Sequence, residues 1–267
     1  MMSVNECLTD ESNIYLIKGK YIKLDENNHI CAEKTDKKIY IKNFNSTEFI
    51  GEELCHIKNI PSAHYFLVGI NYSHHRNQFK KYSKLNDQSI SIKLGSFDFK
   101  KDGLNYFKIP YDLCNNSNTL EKILSLCPNK ENRNELLDEI IDMFALDIYM
   151  GQQDRNESNI MFYQDKNNYI HLAPLYDFEF SLNNALYSSK FLYDNDLYKF
   201  KDINTIKEFI SSHERLKYEL ESYLDINLLE IARKSYNERD LKIPSVIEEH
   251  YTSFDHIQKK LIKRIVK

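Results

Sequence analysis

At 267 residues the chain is long enough for one large or two small domains, 42% hydrophobic residues can supply a core, and 13% aromatic residues, all Tyr and Phe, argue against disorder. A formal net charge of −4 offers no general attraction to nucleic acid, and Lys greatly outnumbers Arg, the better bidentate reader of phosphate, so no nucleic-acid partner is predicted. No apolar run reaches the roughly eighteen residues of a membrane span, and Met1 to Asp10 lack the basic start and apolar core of a signal peptide, so the expected location is the cytoplasm, with export by a route without a cleaved signal left open.

In chain order, Ile14-Tyr-Leu-Ile, Tyr21-Ile-Lys-Leu and Ile39-Tyr-Ile-Lys42 are short β-prone runs separated by polar turns such as Asp25-Glu-Asn-Asn, the pattern of a small antiparallel sheet. Ser46-Thr-Glu-Phe-Ile-Gly-Glu-Glu-Leu-Cys then opens like a capped helix and places the acidic pair Glu52 and Glu53 about ten residues beyond Lys42. Ala63 to Ile70 and Ser89 to Leu94 read as two more strands, with a polar loop or insertion between Asn71 and Gln88. Leu136, Leu137, Ile140, Ile141, Phe144 and Ile148 recur at helical spacing from about Asn134, and Gly151 is placed to stop that helix. After a polar, Tyr-rich stretch at 183–200 come three helical patterns. The first carries Ile206, Phe209, Ile210 and Leu220, the second Leu228, Leu229 and Ala232, and the third, after Pro244, Ile247, Tyr251, Phe254, Ile257, Leu261 and Ile265. Five scattered cysteines without a C-x-x-C pair read as reduced thiols, and the nine histidines lack zinc spacing.

The densest chemistry lies between Phe144 and Leu182. Residues 160 to 164 and 169 to 173 are strand-like and flank Asp165-Lys-Asn-Asn, a turn of hairpin length. Asn159 stands at the entrance of one arm and Asp177 just past the exit of the other, so a hairpin brings an amide oxygen and a carboxylate together, a donor pair suited to Mg²⁺. Asp154, in the loop upstream, faces the same point. Asp154 and Asn159 are separated as the base and the metal-holding Asn are in the protein-kinase catalytic loop, and Ile39-Tyr-Ile-Lys42 resembles the kinase strand that carries the phosphate-binding lysine.

Taken together, Phe144-Ala-Leu-Asp147, Gly151, Asp154-Arg155, Asn159, Phe162 and Leu172-Ala-Pro-Leu-Tyr-Asp177 resemble the core of HipA-like serine/threonine kinases. Two positions depart from that pattern: Gln152 stands where the family often has Asn, and Asn156 where it usually has His. The resemblance implies an α+β, two-lobed protein-kinase-like fold, with a β-rich N-lobe over residues 1–95 and a mainly helical C-lobe over 96–267. It implies ATP and Mg²⁺ as cofactors, Asp154 as catalytic base, Asn159 and Asp177 as metal ligands, and Lys42 on the phosphates, held there by Glu52, which fits better than Glu53. Family members phosphorylate Ser or Thr in proteins, some as toxins or effectors, and a neutralising partner protein is part of that expectation. A lipid or small-molecule kinase and a nucleotide-binding pseudokinase are the alternatives. The chain has no G-x-G-x-x-G and no G-x-x-x-x-G-K-[ST], so the loop Glu33 to Lys38 is a candidate cover for the phosphates, and Ser188 and Ser189 are candidate self-modification sites.

Overall fold

The computed structural model describes residues 2–3, 13–16, 22–24, 30–32, 39–43, 45–71, 90–109, 118–182, 197–198, 200, 202–238 and 241–267. The loop Glu33 to Lys38, the 72–89 stretch, Ser188 and Ser189 lie outside these residues. The strands are β1 (Met2–Ser3), β2 (Asn13–Leu16), β3 (Ile22–Leu24), β4 (Ile30–Ala32), β5 (Ile39–Asn43), β6 (Tyr65–Asn71), β7 (Ile90–Phe97), β8 (Asn105–Lys108), β9 (Met161–Gln164) and β10 (Ile170–Leu172). The helices are α1 (Ser46–Ile57), α2 (Thr119–Leu124), α3 (Lys130–Met150), α4 (Ile203–Ser212), α5 (Arg215–Ser222), α6 (Leu228–Asn237) and α7 (Ser245–Ile265).

A five-stranded antiparallel sheet, ordered β1-β5-β7-β6-β2, occupies the N-terminal part, and β3 pairs separately with β4. In the ladder Lys42 sits opposite Leu94, and Tyr65 opposite Ser96. This register puts Lys42 and Tyr65 two rungs apart on one face of the sheet.

Helix α1 begins where Asn45 caps it, accepting from Thr47 N at 3.1 Å, and buries Phe49, Ile50, Leu54 and Cys55. A glycine inside a helix weakens it, so Gly51 needs a packing reason. The reason is Phe178: a Cβ on Gly51 would lie 2.4 Å from the ring. Gly51→Ala is therefore expected to lose about 1–3 kcal/mol through overpacking, although alanine is the better helix former. Urea unfolding of the two proteins checks this, and equal stability would mean that the ring yields freely.

Helix α3 is capped by Asn129, which accepts from Asn132 N at 2.9 Å, and it ends at Gly151 in the left-handed conformation at φ 60°. Leu136, Ile140, Ile141, Phe144 and Ile148 are all buried, as their periodicity predicts. The sheet β10-β9-β8 docks on this helix through a buried amide. Asn132 Nδ2 donates to Ile170 O at 2.8 Å while its Oδ1 accepts from Ile170 N at 2.9 Å. The predicted hairpin is β9 and β10, and β8 is a third strand that short polar alternation concealed.

The first C-terminal pattern is two helices rather than one. Asp202 and Thr205 form a capping box at the start of α4, and the chain leaves helical geometry at His213, whose ring stacks on Phe209 at 4.3 Å. In α7 the buried line runs through Tyr251, Phe254, Gln258, Ile262 and Ile265, so Ile257, one position off that line, is 36% exposed. No helix among the described residues is long and apolar enough to cross a membrane.

Candidate active site

Lys42 reaches from β5 into a nest of carboxylates. Its ammonium forms an ion pair with Glu48 on α1, donates to Asp177 Oδ1 at 2.7 Å and lies 3.7 Å from Glu179 Oε2. Burial by itself would discharge Lys42, but Glu48 and Asp177 outweigh it and hold the pKa above the ordinary lysine value, so the cation persists. Glu48 is fully buried, and its other oxygen accepts from Phe178 N at 3.0 Å.

The partner of Lys42 is thus Glu48, not Glu52. Glu52 turns toward the start of β6, where it accepts from Tyr65 N at 3.1 Å and pairs with His64 at 2.5 Å. Position along the helix explains the difference. Glu48 and Glu52 are four residues apart and share a face, but Glu48 sits in the first turn beside Lys42 and Phe178, whereas Glu52 lies one turn further on, beside the start of β6. Glu48→Gln is expected to destabilise the protein by about 1.5–3 kcal/mol, the worth of a hydrogen bond to a charged group. Glu52→Gln should cost less than about 1 kcal/mol, since its pair with His64 lies at the exposed rim. Urea unfolding of the two variants separates them, and equal losses would make Glu52 as firmly engaged as Glu48.

Asp177 follows the hairpin with a left-handed backbone, φ 62°, which is uncommon for a residue with a side chain and persists when its surroundings over-determine it. Its N–H donates to the Tyr65 hydroxyl at 3.0 Å, its carbonyl accepts from Gln152 Nε2 at 2.8 Å, and its carboxylate takes Lys42. Burial, reinforced by Glu48, pushes the Tyr65 hydroxyl well above its ordinary pKa, so it stays protonated.

The loop after α3 supplies the other two groups. Asp154 accepts from Asn156 Nδ2 at 2.5 Å on Oδ1 and from Asn159 Nδ2 at 3.1 Å on Oδ2, and Asn159 Nδ2 also donates to the Asp154 carbonyl at 2.7 Å. With its nitrogen so engaged, Asn159 turns its oxygen to the Ser158 hydroxyl at 3.3 Å. Asn156, which stands in the family's histidine position, therefore restrains the carboxylate rather than displacing it. Beneath the loop Arg155 is fully buried. It grips Asp147 of α3 with two bonds at 3.0 and 2.9 Å and donates to Asn159 O at 3.2 Å and Tyr176 O at 2.7 Å. A single guanidinium thereby ties the helix, the loop and the approach to Asp177 together.

A cleft of about 500 Å³ opens between the two sheets, lined by Tyr65, Ser96, Phe99, Asn159, Met161 and Asp177 among others. Asn159 and Asp177 share this space, and Lys42 joins them through Asp177. Asp154 is joined through Asn159. Asn159 and Asp177 offer oxygen only, the donor chemistry that Mg²⁺ takes, so the residues present fit that ion. Glu48, Asp177 and Glu179 also bring carboxylate oxygens within 4.8 Å of one another. That proximity is accounted for by the ammonium of Lys42 in their midst.

Among solved structures, the chain is similar over 92% of its length to 95% of a Helicobacter pylori proinflammatory kinase, CtkA, with a TM-score of 0.52 and 13% identity. The chain shares the fold of that kinase. It also aligns over 95% of its length with 62% of HipA from the toxin–antitoxin system of Shewanella oneidensis MR-1, solved with HipB and operator DNA, at a TM-score of 0.49 and 12% identity. No protein-family model and no curated protein matches the sequence. Against this kinase fold the sequence reading missed Glu48, Tyr65 and Gln152. Tyr65 is ordinary in a β-prone run, and nothing local announces that its hydroxyl meets a residue more than a hundred positions away.

Proposed function

We propose that the protein is an ATP- and Mg²⁺-dependent kinase that transfers phosphate to Ser or Thr of a protein. In this reading residues 1–95 and 96–267 are two lobes with the nucleotide between them. The observation that carries the reading is that Asp177 and Asn159 line one cleft, each bonded to a further candidate group. Lys42 is fixed by Glu48 and Asp177, and Asp154 is bonded to Asn159. The kinase-like fold supports it independently.

Asn159 and Asp177 would hold Mg²⁺, which when bound neutralises phosphate charge and fixes phosphate geometry. Lys42 places a permanent positive charge on the phosphates, and Glu48 keeps it aimed there. Asp154 accepts the proton of the acceptor hydroxyl as that oxygen bonds to the γ-phosphorus and the bond from that phosphorus to the bridging oxygen breaks, leaving ADP. Most of the rate then comes from positioning and electrostatics. A neutralising partner protein and a toxin or effector role belong to the same proposal.

Incubation of the protein with γ-labelled ATP and Mg²⁺, alone, with a generic protein acceptor and with lipid vesicles, tests the reading. Label on Ser or Thr that disappears on chelation of the metal is the expected result. Label on lipid alone would move the assignment to a lipid kinase, ATP binding without transfer to a pseudokinase, and no ATP binding would end the kinase reading.

A further inference from the structure

Gln152 is almost entirely buried and lies between Gly151, which ends α3, and Asp154. Both ends of its amide are committed. The oxygen accepts from Gln153 N at 3.0 Å and Asp154 N at 3.3 Å, and the nitrogen donates to the carbonyl of Asp177 at 2.8 Å. The backbones of the proposed base and of the proposed metal ligand are thus joined through one side chain of defined length. The Asp177 carbonyl belongs to a residue in left-handed geometry, which a hydrogen bond at that carbonyl helps to fix.

Resting on the kinase reading, we propose that Gln152 is a positioning residue: its amide sets the separation of Asp154 from Asp177, and through Asp177 it sets the affinity for the divalent ion. Its three hydrogen bonds offset the cost of burying the amide, and a hydrocarbon in its place would leave the Asp154 N–H and the Asp177 carbonyl without this partner. Groups that orient metal ligands from outside the coordination sphere change metal affinity or activity by about 10–100-fold when removed. Length matters as much as polarity. Asparagine, one methylene shorter, would reach one end but not both.

The test is the binding of Mn²⁺ to the full-length protein with ADP present, followed by the electron paramagnetic resonance of the free ion, together with kcat and KM for ATP. Three variants are compared with wild type. Gln152→Met removes both hydrogen-bonding ends at similar volume, Gln152→Glu keeps the acceptor toward Asp154 and loses the donor toward Asp177, and Gln152→Asn shortens the link. Expected are a loss of Mn²⁺ affinity of about tenfold or more in Gln152→Met and Gln152→Glu, and a fall in kcat in all three, with KM for ATP changed less than kcat. Should Gln152→Met fail to fold, Gln152→Asn and Gln152→Glu are read by the same criteria. Mn²⁺ affinity and kcat within about twofold of wild type in folded variants would overturn the role of Gln152 while leaving the kinase reading intact. Absence of Mn²⁺ and nucleotide binding in the wild type would overturn both.

Discussion

Asp154→Asn is expected to lower phosphoryl transfer by about 10²–10⁴-fold, the range for loss of a general base, while Mg·ATP binding stays within a few-fold of wild type. The substitution keeps the shape of the side chain but only one oxygen, so of the amide donors of Asn156 and Asn159, which bond to separate carboxylate oxygens at 2.5 and 3.1 Å, one loses its acceptor. It also removes the capacity to take a proton. Single-turnover transfer measured beside calorimetric ATP titration isolates that step. A fall of less than about tenfold with binding unchanged would show that another group receives the proton, since a base is worth more than that.

Arg155→Met carries the largest expected cost in stability. Arg155 and Asp147 are both fully buried and joined by two hydrogen bonds, so methionine would leave the Asp147 carboxylate inside the protein without its partner. Breaking a buried pair from one side costs about 3–5 kcal/mol, a large share of the roughly 5–15 kcal/mol that holds a domain folded. The expected fall in Tm is about 6–20 °C, from about 2–4 °C per kcal/mol in a chain of this size. Arg155 also lies over the Phe178 ring at 5.4 Å and supports two backbone carbonyls, so loss of loop order should accompany the loss of stability. Thermal unfolding of Arg155→Met, Asp147→Leu and the double variant gives the coupling. The double variant should recover part of the loss, because removing both charges eliminates the stranded one. A single variant that loses less than about 1 kcal/mol would show that water reaches Asp147.

Local chemistry was readable wherever the chain signals within a few residues. Gly151 as a helix stop, the Asp165-Lys-Asn-Asn turn and the spacing of Asp154 and Asn159 depend on neighbours in sequence, and each could be placed from the residues alone. The contacts between distant segments were not readable in that way. Glu48 and Glu52 both look like the acidic residue of a solvated helix face, and only the approach of Lys42 and Phe178 to the first turn of α1 decides which one is buried. The break at His213 depends on a ring stacking back on Phe209, and the choice of Gln258 over Ile257 on the packing of α7 against the other helices. Hydrophobic periodicity reports which residues prefer burial. It does not report which polar residue the core will accept once its hydrogen bonds are supplied.

Helix α1 is fastened to the C-terminal helices at both ends and in the middle. The Ser46 hydroxyl meets the Tyr251 hydroxyl at 2.9 Å, Glu53 pairs with Lys234, and Lys58 lies 3.6 Å from Glu219. In kinases that are switched by their Lys–Glu pair, the helix carrying the Glu must be free to swing. Here that movement would have to undo polar contacts with three separate helices and lift Gly51 from the Phe178 ring. On the proposed kinase reading, the Lys42–Glu48 pair would then be in place before nucleotide binds. Control would fall to access to the cleft or to supply of the acceptor, not to a swing of this helix.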